Sequence, residues 1–153
     1  MTKSVLFPAA LSARACQPEL ASRIAVAAGG ESLTYAELMD AVRQRARQFA
    51  ALNINKGSRI AFLLNRDLHL VVGILAALVS GVPFTVLSRR ESDAEISGKL
   101  SSAAFSALIC GDDLADRGAD IAKSASLRLV TISQLLASTI KDVPLAQVSA
   151  DDE

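Results

Sequence analysis

The stretch Arg59–Arg90, RIAFLLNRDLHLVVGILAALVSGVPFTVLSRR, decides the fold class of this chain. It begins with a short, almost entirely apolar run, Arg59–Leu64, typical of a strand that is buried on both faces of a parallel sheet. It ends with a second apolar strand, Phe84–Leu87, which follows Pro83. An apolar helical segment lies between them. Strand, helix and strand within about 30 residues predict a βαβ unit with a right-handed crossover, and therefore an α/β fold.

The helix of this unit has a recognisable beginning and end. Asn65 or Asp67 can cap its N-terminus through a side-chain oxygen. The apolar residues of Leu68–Val79 form its body. Ser80-Gly81 follows, with glycine in its usual place just after a helix end.

Neither of the two most apolar segments predicts a membrane span or a secretion signal. Leu68–Ser88 has no charged side chain and reaches spanning length, but His69, Gly81 and Pro83 interrupt it. Val5–Leu11 is short for a signal peptide. We therefore expect a cytoplasmic protein that does not enter a membrane.

Upstream of the βαβ unit, the pattern predicts a hairpin and a long helix. Arg23–Ala27 and Glu31–Thr34 are strand-like runs on either side of a glycine pair. Thr34 and Glu37 then form a capping box, in which the Thr34 hydroxyl accepts from the Glu37 amide and the Glu37 carboxylate reaches back. Helical spacing continues to about Leu52. The outer face of this helix is polar and includes Arg43, Gln44 and Arg47.

Helices and strands continue to alternate downstream. Gly111–Gly118 is polar and rich in acidic residues, which predicts a loop. The other predicted elements are a helix that begins at the capping box Ser92–Glu95 and reaches about Ala104, the strands Ser106–Cys110 and Leu127–Thr131, and a short helix Ser133–Thr139. We therefore expect a three-layer α/β domain with a mostly parallel sheet over residues 1–142, followed by a polar tail over 143–153.

Composition excludes several classes of ligand. Sixteen basic residues balance sixteen acidic ones, so the net charge creates no field that would attract nucleic acid or an anionic membrane. Cys16 and Cys110 are far apart and lie in no CxxC or Cys-His spacing, which favours free thiols over a disulfide or a metal site. We expect partners that are neither nucleic acids nor membranes.

Several segments in a fixed order carry a resemblance to a known family. They are PELASRIAV, SLTYAEL, NINKGSRIAFLL, LAALVSGVPFTVLSRR and SALIC. In this order they closely resemble the N-terminal subdomain of the AMP-forming adenylate synthetases, which include acyl- and aryl-CoA ligases, luciferases and the adenylation domains of peptide synthetases. The resemblance extends from about Leu11 to the end of the chain. The chain departs from the family pattern at Ser58, where an acidic residue is common, and at Thr85-Val86, where Val-Pro is common.

The resemblance implies an activity for a complete family member. Such an enzyme forms an acyl-adenylate from a carboxylate and ATP and then passes the acyl group to a thiol, with ATP, magnesium and CoA as its cofactors. The family's phosphate loop, aromatic-Thr-Glu segment, ribose-binding Asp and catalytic Lys have no counterpart in this sequence. VSADDE, at 148–153, resembles the stretch that precedes the phosphate loop. We therefore expect a ligase fragment that holds no catalytic residue, cofactor or metal and is inactive alone.

One residue is predicted to bind a ligand. By the resemblance, Arg90 corresponds to an arginine that follows this strand in CoA ligases and lies near the phosphates of CoA, where a guanidinium offers paired donors. The alternative is an exposed basic loop. Capping explains Glu37 and packing explains Tyr35. His69 has no partner at ligand spacing, and we expect Cys110 to be a small buried hydrophobe.

Two other functions stay open from the sequence. One is a non-catalytic module that completes or docks on a partner ligase chain, or that self-associates through exposed apolar surface. The other is an unrelated flavodoxin-like domain that binds a nucleotide. Binding of a whole nucleotide by this chain alone would favour the flavodoxin-like domain.

Overall fold

The computed structural model describes residues 7–138, and the predicted polar tail, 143–153, lies outside this range. Two helices come first, α1 (Phe7–Ala15) and α2 (Pro18–Ala21). The sequence pattern predicted neither of them. Within the described range, every helix is too short or too polar to cross a membrane.

The predicted hairpin and capping box are both confirmed. β1 (Ile24–Ala28) and β2 (Glu31–Thr34) pair antiparallel. Gly29 and Gly30 form the turn with φ of 62° and 83°, a backbone region that glycine enters at little cost. α3 (Tyr35–Ala51) follows at once. The backbone N of Thr34 lies 2.8 Å from Glu37 Oε2, and the backbone N of Glu37 lies 3.3 Å from Thr34 Oγ1.

A second, larger sheet forms the centre of the domain. Its strands are β3 (Ile60–Leu63), β4 (Phe84–Val86), β5 (Ala107–Cys110) and β6 (Arg128–Thr131). They lie in the order β4-β3-β5-β6, and all neighbouring strands are parallel. The helix α4 (Leu68–Ser80) connects β3 to β4, so the predicted βαβ unit is confirmed.

Helices cover both faces of the larger sheet. Ile60 and Phe62 pack into one core beneath α3 and α4, together with α7 (Ile132–Ala137). Ala61 and Leu63 pack into a second core with α5 (Asp93–Ser101) and α6 (Ala115–Ser124). Strand residues alternate between the two cores because successive side chains point to opposite faces of a sheet. The predicted three-layer α/β architecture is therefore confirmed.

Both ends of α4 are fixed by the residue types that the sequence offers there. Asp67, rather than Asn65, caps the helix, with its Oδ1 accepting from the backbone N of Leu70 at 3.2 Å. Gly81 ends it in the left-handed conformation, with φ of 65°. Gly73 lets the helix approach β3, because a Cβ there would lie 3.0 Å from the ring of Phe62.

The prediction of a polar loop over Gly111–Gly118 was wrong. A short 3-10 turn, Asp112–Leu114, leads directly into α6. Asp112 and Asp113, which suggested a loop, are exposed in this turn, and Asp116 is exposed in the first turn of α6, where a negative charge suits the helix dipole. The buried side consists of Gly118, Ile121 and Ala122.

The turn between α3 and β3 explains one departure from the family pattern. Ser58 is buried there. Its Oγ accepts from the backbone N of Asn55 at 3.1 Å and donates to the carbonyl of Asn53 at 3.5 Å. An acidic side chain in the same place would bury a charge. The buried serine hydroxyl therefore stabilises this turn through two hydrogen bonds to its backbone.

Candidate functional site

The carboxyl ends of the parallel strands lie together at one edge of the larger sheet. The loop 64–67 leaves β3 there, the loop 87–92 leaves β4, and Gly111 leaves β5. The chain order reverses between β3 and β5, because β4 is added on one side and β5 on the other. Open α/β sheets bind their ligands at this edge, near such a reversal.

A cleft of about 550 Å³ opens at this edge beside β3 and β4. We call it the carboxyl-edge cleft. It is lined by Leu64, Asn65, Arg66, Leu70, Val86, Leu87, Ser88, Arg89 and Arg90. The two leucines next to β3 and β4 are buried, whereas all three arginines are exposed. The cleft therefore combines an apolar wall with positive charge that solvent can reach.

Arg89 is engaged by neighbouring side chains. Its Nη2 lies 3.3 Å from Oδ2 of Asp113, and its Nη1 donates to Oδ1 of Asn65. The Asn65 amide nitrogen in turn lies 3.4 Å from the same Asp113 oxygen. These three side chains connect the loops after β3, β4 and β5. Arg89 therefore helps to hold the edge together.

Arg90 lies beside Arg89 and also lines the carboxyl-edge cleft. Its backbone N donates to Ser88 Oγ at 3.2 Å. Within residues 7–138 its guanidinium has no hydrogen-bond or ion-pair partner. The structure thus places the residue predicted from the sequence on the cleft, with its donors available. Whether it binds a CoA phosphate stays a prediction.

Arg117 on α6 holds the loop that carries Arg90. Its Nε donates to Asp93 Oδ1 at 2.7 Å. Its Nη1 donates to the carbonyl of Arg89 at 2.8 Å, and its Nη2 to the carbonyl of Glu91 at 2.6 Å. Sequence reasoning missed this residue because its partners lie more than twenty residues away in the chain.

The acidic residues after β5 are also engaged. Ser133 donates to Asp112 from its Oγ at 2.7 Å and from its backbone N at 3.1 Å. These bonds lower the pKa of Asp112, with the Ser133 hydroxyl as the largest cause. Asp113 faces Arg89. Within residues 7–138, no group of three or more His, Cys, Asp and Glu side chains is placed to hold a metal ion.

The other residues considered from the sequence lie away from this cleft. Glu37 caps α3, and the bonds from Thr34, first from its backbone N–H, lower its pKa. Tyr35 is partly buried among apolar side chains. Burial, followed by Asp112 and Asp113, raises the pKa of Cys110 to about 11.

Comparison with known proteins identifies the family. The model of the family described as AMP-binding enzyme matches residues 13–152. The chain is 29% identical over 125 residues to the 2-succinylbenzoate–CoA ligase of a Geobacillus species. The matched region covers 82% of this chain and 24% of that protein. It is 37% identical over 103 residues to malpinin synthetase of Mortierella alpina, covering 65% of this chain and 1% of that protein.

Solved structures show the same fold. A benzoate CoA ligase from Burkholderia xenovorans has a TM-score of 0.78 at 22% identity, covering 96% of this chain and 30% of that one. The o-succinylbenzoate CoA synthetase of Bacillus subtilis, in complex with its acyl-adenylate intermediate, has a TM-score of 0.77 at 22% identity. The match covers 90% of this chain and 34% of that one. The chain thus spans only about a third or less of the length of these relatives. Since the family match covers most of the sequence, the chain belongs to the AMP-binding enzyme family.

Proposed function

We propose that the chain is the N-terminal part of an AMP-forming ligase that activates an acyl or aryl acid. In this reaction the carboxylate attacks the α-phosphorus of ATP, pyrophosphate leaves and an acyl-adenylate forms. A thiol of CoA or of a carrier protein then attacks the acyl carbonyl and displaces AMP. Membership of the family supports this assignment, as do relatives that are CoA ligases for 2-succinylbenzoate and benzoate.

The part of this reaction assigned to the chain is recognition of CoA phosphates at the carboxyl-edge cleft. The observation that carries it is the guanidinium of Arg90, which has no partner among residues 7–138 and lies on a loop that Arg117 holds in place. Arg66 adds a second exposed positive charge. Paired N–H donors of guanidinium groups match phosphate oxygens. The residues present therefore fit a phosphate group.

ATP and magnesium are assigned to other parts of a complete ligase. The loop after β5 carries Asp112 and Asp113, which present carboxylates to this edge. A triphosphate needs converging backbone amides and cations instead. Purified chain should therefore show no ATP–pyrophosphate exchange with benzoate as the acid. Exchange above that of heat-denatured chain would overturn this part of the proposal.

Binding of CoA tests the role of Arg90. We expect ¹⁵N-labelled chain to bind CoA weakly and to bind pantetheine, which lacks the nucleotide phosphates, more weakly still. Arg90→Ala should raise the dissociation constant for CoA about tenfold, the loss expected for a charged hydrogen bond. Arg47→Ala, at an exposed position on α3, is the matched control and should bind as the unaltered chain does. If Arg90→Ala bound CoA as tightly as the unaltered chain does, the loop would be an ordinary solvated surface with no role in CoA binding.

The same variant separates the two half-reactions once a complementing ligase chain restores activity. Arg90→Ala should slow thioester formation and leave adenylate formation largely unchanged, because the proposal gives Arg90 no contact with ATP. Equal loss in both half-reactions would instead indicate a structural role.

A docking role is the second candidate function. β4 is an edge strand of the larger sheet, and its Val86 side chain is 46% exposed. Exposed apolar side chains on an edge strand favour pairing with another chain. Light scattering that finds only monomer over a wide range of concentrations would argue against self-association.

A further inference from the structure

The loop after β4 brings two adjacent arginines to the carboxyl-edge cleft in different ways. Arg89 and Arg90 both line the cleft. Among residues 7–138, the guanidinium of Arg90 has no hydrogen-bond or ion-pair partner. The guanidinium of Arg89, by contrast, contacts Asn65 and Asp113. A phosphate group in the cleft therefore has to compete with Asp113 for Arg89, but not for Arg90.

The contact between Arg89 and Asp113 is weak for an ion pair. Nη2 of Arg89 lies 3.3 Å from Oδ2 of Asp113, whereas strong charge-assisted hydrogen bonds are about 2.7–2.9 Å long. The two side chains are 43% and 50% exposed, so water competes for both charges. Exposed ion pairs of this kind contribute little to stability. A more highly charged acceptor can therefore displace the carboxylate of Asp113 from Arg89.

The backbone of Arg89 is held independently of its side chain. Its carbonyl accepts from Arg117 Nη1 at 2.8 Å, and the next backbone N, that of Arg90, donates to Ser88 Oγ at 3.2 Å. Neither bond involves the Arg89 guanidinium. Because Arg89 already lines the cleft, its guanidinium can turn from Asp113 towards a ligand by rotation of side-chain bonds while the loop stays in place.

The charges around the cleft favour a ligand with two linked phosphate groups. Arg66 and Arg90 are exposed and also line the cleft. A diphosphate carries more negative charge than one carboxylate, and its oxygens can accept from more than one guanidinium at a time. A single phosphate group has fewer oxygens to share between Arg89 and Arg90.

We propose that Arg89 is a second phosphate-binding residue of the carboxyl-edge cleft and that Asp113 competes with the ligand for it. In the arrangement that the structure shows, Arg89 pairs with Asp113. In the other arrangement, Arg89 and Arg90 donate together to a diphosphate group. Asp113 thereby lowers the affinity of the cleft for phosphates and favours a diphosphate over a single phosphate. The inference rests on the proposed recognition of phosphates at this cleft, to which it adds a binding residue and a control on affinity.

Inorganic pyrophosphate and inorganic phosphate are the probes for this competition. We expect pyrophosphate to shift the side-chain Nε–H resonance of Arg89 in ¹⁵N-labelled chain, and phosphate at the same concentration to shift it much less. Asp113→Asn should tighten pyrophosphate binding by up to about fivefold, the contribution of an exposed ion pair. Asp116→Asn removes the same charge at an exposed position of α6. It is the matched control and should bind pyrophosphate as the unaltered chain does.

A double-mutant cycle separates competition from simple charge repulsion. Arg89→Met should weaken pyrophosphate binding about tenfold, the loss of a charged hydrogen bond. Adding Asp113→Asn to that variant should give little further change, because the residue for which Asp113 competes is gone. If Asp113→Asn tightened binding equally with and without Arg89, the carboxylate would act by repulsion alone and the proposal would be wrong. An Arg89 resonance that pyrophosphate does not shift would also overturn it.

Binding of CoA to the same variants distinguishes this inference from the proposed function. If Arg90→Ala lost affinity for CoA while Asp113→Asn left the affinities for CoA and pyrophosphate unchanged, the proposed function would stand and the competition would be disproved. If pyrophosphate binding depended on Arg89 and Asp113 but CoA did not bind, the competition would stand and the assignment of the cleft to CoA would be wrong. Binding of neither CoA nor pyrophosphate would overturn both.

Discussion

Arg117 Nε lies 2.7 Å from Asp93 Oδ1, and this ion pair joins the helix after β5 to the helix after β4. The same guanidinium donates to the carbonyls of Arg89 and Glu91. One side chain therefore holds the backbone on both sides of Arg90. The side chain of Arg117 is only 26% exposed, so water competes weakly for these bonds.

Replacing Arg117 should loosen this loop. Arg117→Met keeps much of the side-chain length but removes three hydrogen bonds, and we expect it to lower the free energy of unfolding by about 1–2 kcal/mol. Urea denaturation measures the change. Arg43→Met, at a more exposed position in an i,i+3 pair on α3, is the control and should change stability little. Equal stability of Arg117→Met and the unaltered chain would contradict the role of Arg117.

Two glycines in helices should respond oppositely to alanine. At Gly118 a Cβ would lie 2.8 Å from Cys110 Sγ and 3.1 Å from Leu129 Cδ1. Gly118→Ala should destabilise the protein by about 1–3 kcal/mol. At Gly98 a Cβ meets no atom of the described residues 7–138 within 4 Å, so Gly98→Ala should stabilise by about 0.5–1 kcal/mol through helix propensity. Thermal unfolding of both variants gives the comparison, and a stabilising Gly118→Ala would show that α6 does not pack closely on β5.

The two thiols should differ in reactivity. Cys16 is exposed, whereas Cys110 is buried and its pKa is raised to about 11. With Ellman's reagent at about pH 8, one thiol of the native chain should react rapidly, and the second should react only on unfolding. Cys16→Ser should abolish the fast phase. Rapid reaction of Cys110 in that variant would contradict its burial.

The raised pKa of Cys110 also predicts a dependence of stability on pH. The folded chain retains the thiol proton more strongly than the unfolded chain does, so this contribution is full below about pH 9 and is lost as pH rises towards 11. Cys110→Ala lacks the titrating group. Its urea midpoint should therefore fall less between about pH 8 and pH 10.5 than that of the unaltered chain. If the urea midpoints of the two proteins fell equally, titration of Cys110 would not be the cause of the pH dependence.

A charge on α4 should be tolerated on one side of the helix only. Ala76 is fully buried, and Ala76→Asp places an unpaired carboxylate in the core, at a cost of several kcal/mol. We expect loss of soluble expression, because the total stability of a domain is only about 5–15 kcal/mol. Leu78, on the same helix, is 39% exposed. Leu78→Asp should remain soluble. If both variants were insoluble, both sides of the helix would be buried.

Local signals in the sequence predicted most of the fold. The capping boxes at Thr34 and Ser92 fixed two helix starts, because each needs only residues three positions apart. The apolar runs predicted all four strands of the larger sheet. A third capping box, Thr131 with Gln134, follows the same rule and starts α7 one residue before the predicted Ser133. The error at Gly111–Gly118 arose because exposed helix faces and loops are equally polar.

The candidate sites depended on contacts that no local pattern encodes. The ligand-binding role of Arg90 was predicted only from the family resemblance. Arg117 meets partners on another helix and loop. Arg89 and Asp113 lie on loops after different strands, and only the pairing of β4 and β5 with β3 brings these loops to the same edge of the sheet.

The order of the larger sheet suits folding during synthesis. β4 pairs with β3, β5 pairs with β3, and β6 pairs with β5, so each strand joins one that the ribosome has already made. From the completion of Val86 until Ala107 emerges, one side of β3 has no partner. An unpaired, fully apolar strand is prone to join other chains. A translational pause within that interval should therefore favour aggregation of the nascent chain more than a pause after Cys110.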